Sequence, residues 1–497
     1  MNPDTATPAA SGTTTQAPVD VVVVGGGGAG LAAAITAAES GARTVLLEKS
    51  PALGGSTGWA IGSVTATRTP HQRAAGIEDD PAWHQEDMVG FEGDRAGRDN
   101  PVLRRILCDE MPETFQWLLD SGVRFFGPMP ELPHRHPRMH NVLPNSRSFI
   151  HHLGARARKA GVQIRTDSPV RCLIVESARV TGVQLAGQAE VRARGGVVLA
   201  AGDFTASAEL KRRFMGELAA RVEPVNVYAT GDGQQMAESL GARIVNGDLA
   251  LGPEIRFVAP TRENWVRRLP PWPALATTMQ WAMGNLPQSL LRPFLMKFLT
   301  TVLAPSPSLF ADGAALVNSR GERFGDETDR PATRLPAQPD NRGWIILDAA
   351  LAARYEAWPN FVSTAPGIAY AYVDDYRRNR PAVCTSADTV AELARSLSMD
   401  RAALHASVRD RGLGDGPYLA LGPVRSLFVH NEGGLAVDTE HRVLGHGDEP
   451  IPGLWAAGST GQGGLLLRGH GHHLGWAFAS GRRAGRLAAQ AARERPA

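Results

Sequence analysis

Cysteine is scarce in this chain. Cys108, Cys172 and Cys384 are the only three in 497 residues, and no two of them form a C-x-x-C pair. That argues against an iron–sulfur cluster, a structural zinc site and c-type haem, and it suits a reducing compartment. An excess of one charge is also missing: 52 Lys and Arg against 50 Asp and Glu leave a formal net charge of +2, which gives no reason to propose nucleic acid. The first 17 residues are rich in Thr, Ala and Pro and lack the basic start and apolar core of a signal peptide. They read as a disordered tail, and the expected location is cytoplasmic. No internal repeat is evident, and the length allows two domains, one of them large.

What is present begins at Val21-Val22-Val23-Val24, a run suited to a buried parallel strand, followed at once by Gly25 to Gly28, Ala29 and Gly30. Gly25, Gly27 and Gly30 fit G-x-G-x-x-G. The first permits a tight turn, the second lets backbone approach a pyrophosphate, and the third lets helix and strand pack closely. A helix over 31–40 follows, and its N-terminus favours anions. The next strand, 44–48, ends in Glu48, placed to hydrogen-bond a ribose hydroxyl; Lys49 follows it. Strand, turn, helix, strand and acid in this order point to a dinucleotide.

Three further segments bear on which dinucleotide. Gly54-Gly55-Ser56-Thr57 adds backbone and hydroxyls along a longer cofactor. An apolar strand runs into Ala201-Gly202, and 451–460 ends a strand in Ala-Ala-Gly458. Together these segments resemble the flavoproteins of the fumarate reductase and succinate dehydrogenase superfamily, which also includes the 3-ketosteroid dehydrogenases, from about residue 20 to 489. The resemblance implies FAD rather than NAD, bound non-covalently, because no histidine of the FAD-attaching type follows Gly54-Gly55. It implies an α/β fold: a discontinuous Rossmann-type FAD-binding domain with an inserted α+β capping domain. The expected division is a tail over 1–17, the first FAD segment over 18–251, the cap over 252–425 and the second FAD segment over 426–491. Val170 is expected near the adenine, and Gly471, His473 and Leu474, at the start of a helix over 474–490, near the flavin.

The resemblance also implies catalytic residues. Arg468 matches a fumarate reductase arginine that binds a substrate carboxylate, and His430, in His-x-x-Gly-Gly, matches a substrate histidine. Arg330 stands where that family has its proton-donating arginine, with spacing one residue shorter, and Pro331 pushes it toward an extended conformation. The structural alternatives are a loop-bracing Arg468, a domain-boundary His430, and an Arg330 paired with Asp326, Glu327 or Asp329. Two departures stand out. Residues 248–258 lack the further substrate histidine of fumarate reductases, and Leu467 replaces the enolate-stabilising tyrosine of 3-ketosteroid dehydrogenases. No metal is expected, because the imidazoles of His472 and His473 would point to different faces. Of His134, His136, His140, His151 and His152, most are expected to be solvated or positional.

In the cap, Leu290, Leu291, Phe294, Leu295, Phe298, Leu299, Val302 and Leu303 form an apolar helix stripe. It packs on its own domain or, with Trp265, Trp272 and Trp281, makes a lipophilic entrance or a membrane-surface helix. The sequence therefore predicts an FAD-dependent oxidoreductase acting on a carbon–carbon bond beside a carboxylate or ketone. Its partners are a small-molecule substrate and an unidentified electron donor or acceptor. The alternatives are a steroid- or terpenoid-type ketone dehydrogenase and a non-catalytic flavin-binding redox protein.

Overall fold

A computed structural model describes residues 19–260, 268–287, 290–293, 296–297, 300, 303–365 and 369–495. The tail over 1–17 lies outside the described residues, as do Trp265 and, in the stripe, Phe294, Leu295, Phe298, Leu299 and Val302.

The valine run forms strand β1 (Val19–Val24), buried at every position. A turn leads into helix α1 (Gly28–Glu39), then β2 (Thr44–Leu47). β1 sits at the centre of a sheet, parallel to β2 on one side and to β6 (Glu190–Leu199) on the other. The sheet continues through β3 (Gln163–Arg165), parallel to β2, and through β13 (Pro450–Ala456), parallel to β6. β12 (Arg442–Leu444) pairs antiparallel with β13 at the edge. β4 (Val170–Glu176) and β5 (Arg179–Leu185) form a hairpin that extends from β6. Five adjacent parallel strands covered on both faces explain the continuous apolar runs.

The discontinuity is real. β13 and α3 (His472–Arg493) come from the far end of the chain and complete the first layer. α3 lies directly on α1, because Gly481 and Gly485 carry no side chain there. A Cβ on them would fall 2.3 Å from the Ala29 carbonyl oxygen and 2.1 Å from that of Ala33.

A second sheet is built around β11 (Tyr418–Phe428). It pairs antiparallel with β7 (Glu254–Phe257), β9 (Gly343–Leu347) and β10 (Cys384–Ala387), and β8 (Ala315–Asn318) joins through β9. This sheet carries separate apolar clusters, drawn from residues between Ile255 and Val424.

Residues 81–120 are divided into three pieces: a helix Pro81–Glu92, a 3₁₀ turn Gly93–Arg98 and a helix Pro101–Asp120 capped by Asn100. Gly93 breaks the first helix at φ +56°, a left-handed conformation that suits glycine. In the cap stripe, Leu303 is buried whereas Leu290 is exposed, as are Trp272 and Trp281 nearby. Among the described residues no helix is long and apolar enough to cross a membrane.

Candidate active site

The three glycines of the first turn play different parts. Gly25 has φ +108°, and a Cβ there would fall 2.3 Å from the Ala200 carbonyl oxygen. A Cβ on Gly30 would fall 1.8 Å from the Gly25 carbonyl oxygen. At Gly27 the nearest atoms to a Cβ are 3.8 and 3.9 Å away, ordinary contact distances, so no protein atom forbids a side chain there. α1 starts beside it with no side-chain cap, and its first-turn N–H groups have no partners inside the helix. One of them, on Gly28, donates to Thr57 Oγ1 at 3.1 Å. Glu48 is buried at the end of β2 and accepts from the Gly26 N–H at 2.6 Å and the Ser50 N–H at 2.8 Å.

A cleft with about 830 Å³ of empty space runs along this turn. Of the residues expected to hold cofactor, Gly25, Gly27, Gly28, Ala29, Glu48, Lys49, Gly55, Ser56, Thr57, Val170, Ala201, Gly202 and Gly458 line it. Five do not. Gly30 packs beneath Gly25, and Gly54 uses its N–H on the Gly26 carbonyl at 3.1 Å. Gly471 is the left-handed residue that opens α3, and His473 and Leu474 follow it in the first turn. The cradle fits FAD: an open glycine at a helix N-terminus suits a pyrophosphate, and the buried acid at the second strand suits a ribose.

Sequence reasoning missed the far wall, including Asn226, Tyr228, Asp232, Met236 and Ala477. Asn226 donates to Ser56 Oγ at 3.0 Å, and Lys49 Nζ meets Asp232 Oδ2 at 2.7 Å and also Thr230 Oγ1. The Gly231-Asp232-Gly233 turn was the available signal, because it opens a helix α2 (Asp232–Glu238) as the first glycines open α1. α3 fixes the opposite end. Its Ser480 Oγ accepts from the Gly458 N–H at 2.9 Å, and its Trp476 Nε1 donates to the Gly458 carbonyl at 3.2 Å.

Before α3 runs a loop with Leu465, Leu466 and Leu467 buried. It hangs on the broken helix described above. Asn100 Nδ2 donates to the Gly463 carbonyl at 2.9 Å, Asp99 Oδ1 accepts from the Leu466 N–H at 2.7 Å, and Glu92 Oε1 from the Arg468 N–H at 3.1 Å. Burial pushes the Glu92 carboxyl up to about 7, with the charge of Glu432 adding to the shift. The Arg468 guanidinium makes no hydrogen bond or ion pair among the described residues.

His430 and His473 meet over Glu432. Their ring centroids are 3.4 Å apart. His430 Nε2 is 3.6 Å and His473 Nε2 3.5 Å from the same Glu432 Oε1. Burial pushes the Glu432 carboxyl up, but the two imidazoles outweigh it and hold the group well below the carboxylate range. Burial, helped by the His430 ring, pushes His473 down to about 4. His473 lies one helical turn before Ala477, which lines the cleft.

Arg330 is not with them. Its side chain is 84% exposed and its partner is Asp329, at 3.5 Å. The backbone is left-handed (φ 44°, ψ 55°), not extended, because the Arg330 carbonyl accepts the Thr333 N–H and hydroxyl as Pro331 begins a short helix. In this structure Arg330 therefore stands as an exposed side chain beside Asp329, apart from the His430–His473 pair.

His84, His134 and His472 form a buried cluster with all three ring centroids 5.3 Å apart. Their partners assign the protons. Arg138 donates to His134 Nδ1 at 3.0 Å, so that neutral ring carries its proton on Nε2. His472 Nδ1 donates to the Arg468 carbonyl at 2.5 Å. His134 therefore presents no lone pair to the centre, and the rings pack and brace the loop rather than make a three-nitrogen metal set. His140 is likewise buried, against Thr69 Oγ1 at 3.0 Å, a positional role.

The family described as FAD binding domain matches residues 20–254 and 286–467. The NADH:fumarate oxidoreductase of Klebsiella pneumoniae (strain 342) is 27% identical over 475 residues, covering 89% of this chain and 44% of that protein, so the chain spans less than half of its length. The vinyl phenol reductase of Lactiplantibacillus plantarum is 27% identical over 504 residues, 92% of this chain and 94% of that protein. Among solved structures, the open conformation of a flavocytochrome c3 fumarate reductase matches at a TM-score of 0.73 and 25% identity, over 96% of this chain and 79% of that one.

Proposed function

Because the chain belongs to the FAD binding domain family, we propose that it is an oxidoreductase that adds or removes hydrogen across a carbon–carbon bond next to a carbonyl group. The observation that carries this reading is the His430–His473 pair over Glu432, one helical turn from the wall of a glycine cradle fit for FAD. Bound FAD supplies a ring that accepts or gives a hydride. Gly27 and the first turn of α1 hold its pyrophosphate, Glu48 its ribose, and Ser56 and Thr57 the backbone beside them. No histidine stands at 54–57 to attach it, so the binding is non-covalent.

Arg468 and His430 hold the carbonyl end of the substrate. Glu92, Asp99 and Glu432 crowd that loop with carboxyl groups, and Arg330 lies on the surface. The site therefore suits a ketone or a monocarboxylate better than a dicarboxylate, which would add two negative charges. One relative of similar length is named for a vinyl phenol, which has no carboxylate and no carbonyl, so it speaks against a dicarboxylate but not for a ketone. The exposed Trp272 and Trp281 of the cap favour a second reading, a larger terpenoid- or steroid-like ketone.

Electrons come from a separate donor; relatives are named for NADH and for a cytochrome. The test is purification, absorbance and mass spectrometry of the heat-released group, then turnover with reduced viologen or NADH on cyclic enones, vinyl phenols and fumarate-like acids. Yellow protein that turns over enones faster than fumarate is expected. Folded protein that is colourless and refuses added FAD removes the reading. Flavin that is reduced and reoxidised with no product from any of these substrates points instead to a non-catalytic redox protein.

A further inference from the structure

With Arg330 on the surface, the proposed reaction needs another group to handle its proton. The residues that meet beside the cleft can do so. His430 lies in a short strand paired at Leu251, and His473 in the first turn of α3. Both Nε2 atoms are buried without a hydrogen-bond partner, and both lie about as far from the same carboxylate oxygen. Yet the two side chains keep 14% and 21% of their exposure. The accessible edge of each ring is therefore the one turned away from Glu432.

Glu432 itself is fixed from below. Its Oε2 takes the Gln462 Nε2–H, and the same amide donates to the Leu465 carbonyl at 2.7 Å. A carboxylate this deeply buried requires a positive partner. The imidazoles supply one proton between them, because a second would place two cations in contact.

We propose that Glu432, His430 and His473 form the proton-handling group of this site: Glu432 is a positioning residue that keeps one proton on the imidazole pair, and the pair passes it through its accessible edge to the carbon beside the substrate carbonyl. The proposal rests on the oxidoreductase reading above. In the reducing direction the β-carbon would receive a hydride, with its electron pair, of the kind that bound FAD would supply. The carbon–carbon π bond breaks and leaves an enolate. An imidazolium N–H bond then breaks as the α-carbon–hydrogen bond forms, and the pair is left neutral until water reprotonates it. Oxidation runs the same steps backwards.

Other ionisable groups bear on this unit. Asp203 acts on His430, His472 on His473, and Glu92, itself bonded to the Arg468 backbone, on Glu432. The pH behaviour belongs to the set, and within it Glu432 lies against both rings, 3.6 and 3.5 Å from their Nε2 atoms.

The experiment uses FAD-loaded protein with 15N-labelled histidine, followed by NMR against pH without substrate, beside kcat and KM. Glu432→Gln is expected to lower the titration midpoint of the pair by at least about one unit and kcat at least about 30-fold, with KM within about threefold and flavin content unchanged. Should that variant not fold, His473→Asn carries the same test. It leaves His430 alone over the carboxylate and must raise the remaining midpoint, because a repelling neighbour is gone. Midpoints unchanged in both variants overturn the proposal, as does a stoichiometric transition metal in the purified protein. Shifted midpoints in a protein that turns over no enone or unsaturated acid support the positioning by Glu432 and overturn the oxidoreductase reading alone.

Discussion

Gly30 lies directly beneath the carbonyl of Gly25, so close that a methyl group on it would sit 1.8 Å from the oxygen. At Gly27, between them, no protein atom forbids a side chain. The two positions should fail differently. Gly30→Ala forces helix and strand apart, and overpacking of this kind costs about 1–3 kcal/mol or more. Its thermal midpoint should fall together with its flavin content. Gly27→Ala should keep the midpoint of the flavin-free protein and lose FAD affinity, because the methyl group occupies the pyrophosphate path. Equal thermal midpoints for the two flavin-free variants would refute this division.

Arg330 and Arg468 offer a second contrast. Arg330→Ala removes an exposed side chain whose partner is Asp329, and turnover should stay within about twofold. Arg468→Ala removes a cation with no protein partner among the described residues. A lost charge-assisted contact of about 1.5–3 kcal/mol predicts at least a tenfold loss of turnover with flavin retained. Steady-state kinetics on both variants decides the matter, and the reverse ranking would restore Arg330 to the site.

Glu92 gives a pH prediction. Burial pushes its carboxyl up to about 7 in the folded protein, from an ordinary 4.5. A carboxyl raised on folding contributes stability that is fully present below the unfolded value and lost as pH rises through the folded one. The shift of about 2.5 units corresponds to about 3 kcal/mol, as an upper bound. Glu92→Gln keeps an acceptor for the Arg468 N–H and removes the titration. Wild type should lose stability relative to this variant between pH 4.5 and about 7. Denaturant unfolding at pH 5 and pH 8 measures it, and a constant difference would exclude Glu92 as the cause.

Lys49 bridges β2 to α2 across the cleft mouth through Asp232. Both groups are partly exposed, and such pairs contribute about 0–1 kcal/mol. Lys49→Met should weaken FAD binding less than tenfold, read as the dissociation constant of added FAD. A larger loss would mean that the ammonium touches the cofactor itself.

The first turn was legible because its evidence is local: four valines, spaced glycines and an acid within one βαβ run. The helix at the far end was legible for the same reason, with observed bounds His472–Arg493 close to the expected 474–490. The candidate site was legible only in part. His430 and Glu432 are neighbours in sequence, but their partner His473 comes from another segment, and no spacing rule joins them. Gly93 carries no motif of its own, although it breaks the helix and lets Asp99 and Asn100 turn toward the C-terminal loop. Arg330 was expected from the resemblance alone; its side chain is exposed beside Asp329, and its backbone is left-handed where Pro331 begins a short helix.

The wall of the cleft that carries Gly458 and α3 has consequences for how this protein is made. The ribosome releases the first glycine turn well before the strand and helix that cover it, because the whole second sheet is translated in between. The nascent chain must therefore carry an unfinished, apolar sheet edge until β13 and α3 emerge. Cells that make this protein quickly should rely on holding chaperones, and the flavin cradle should close only once α3 has left the ribosome.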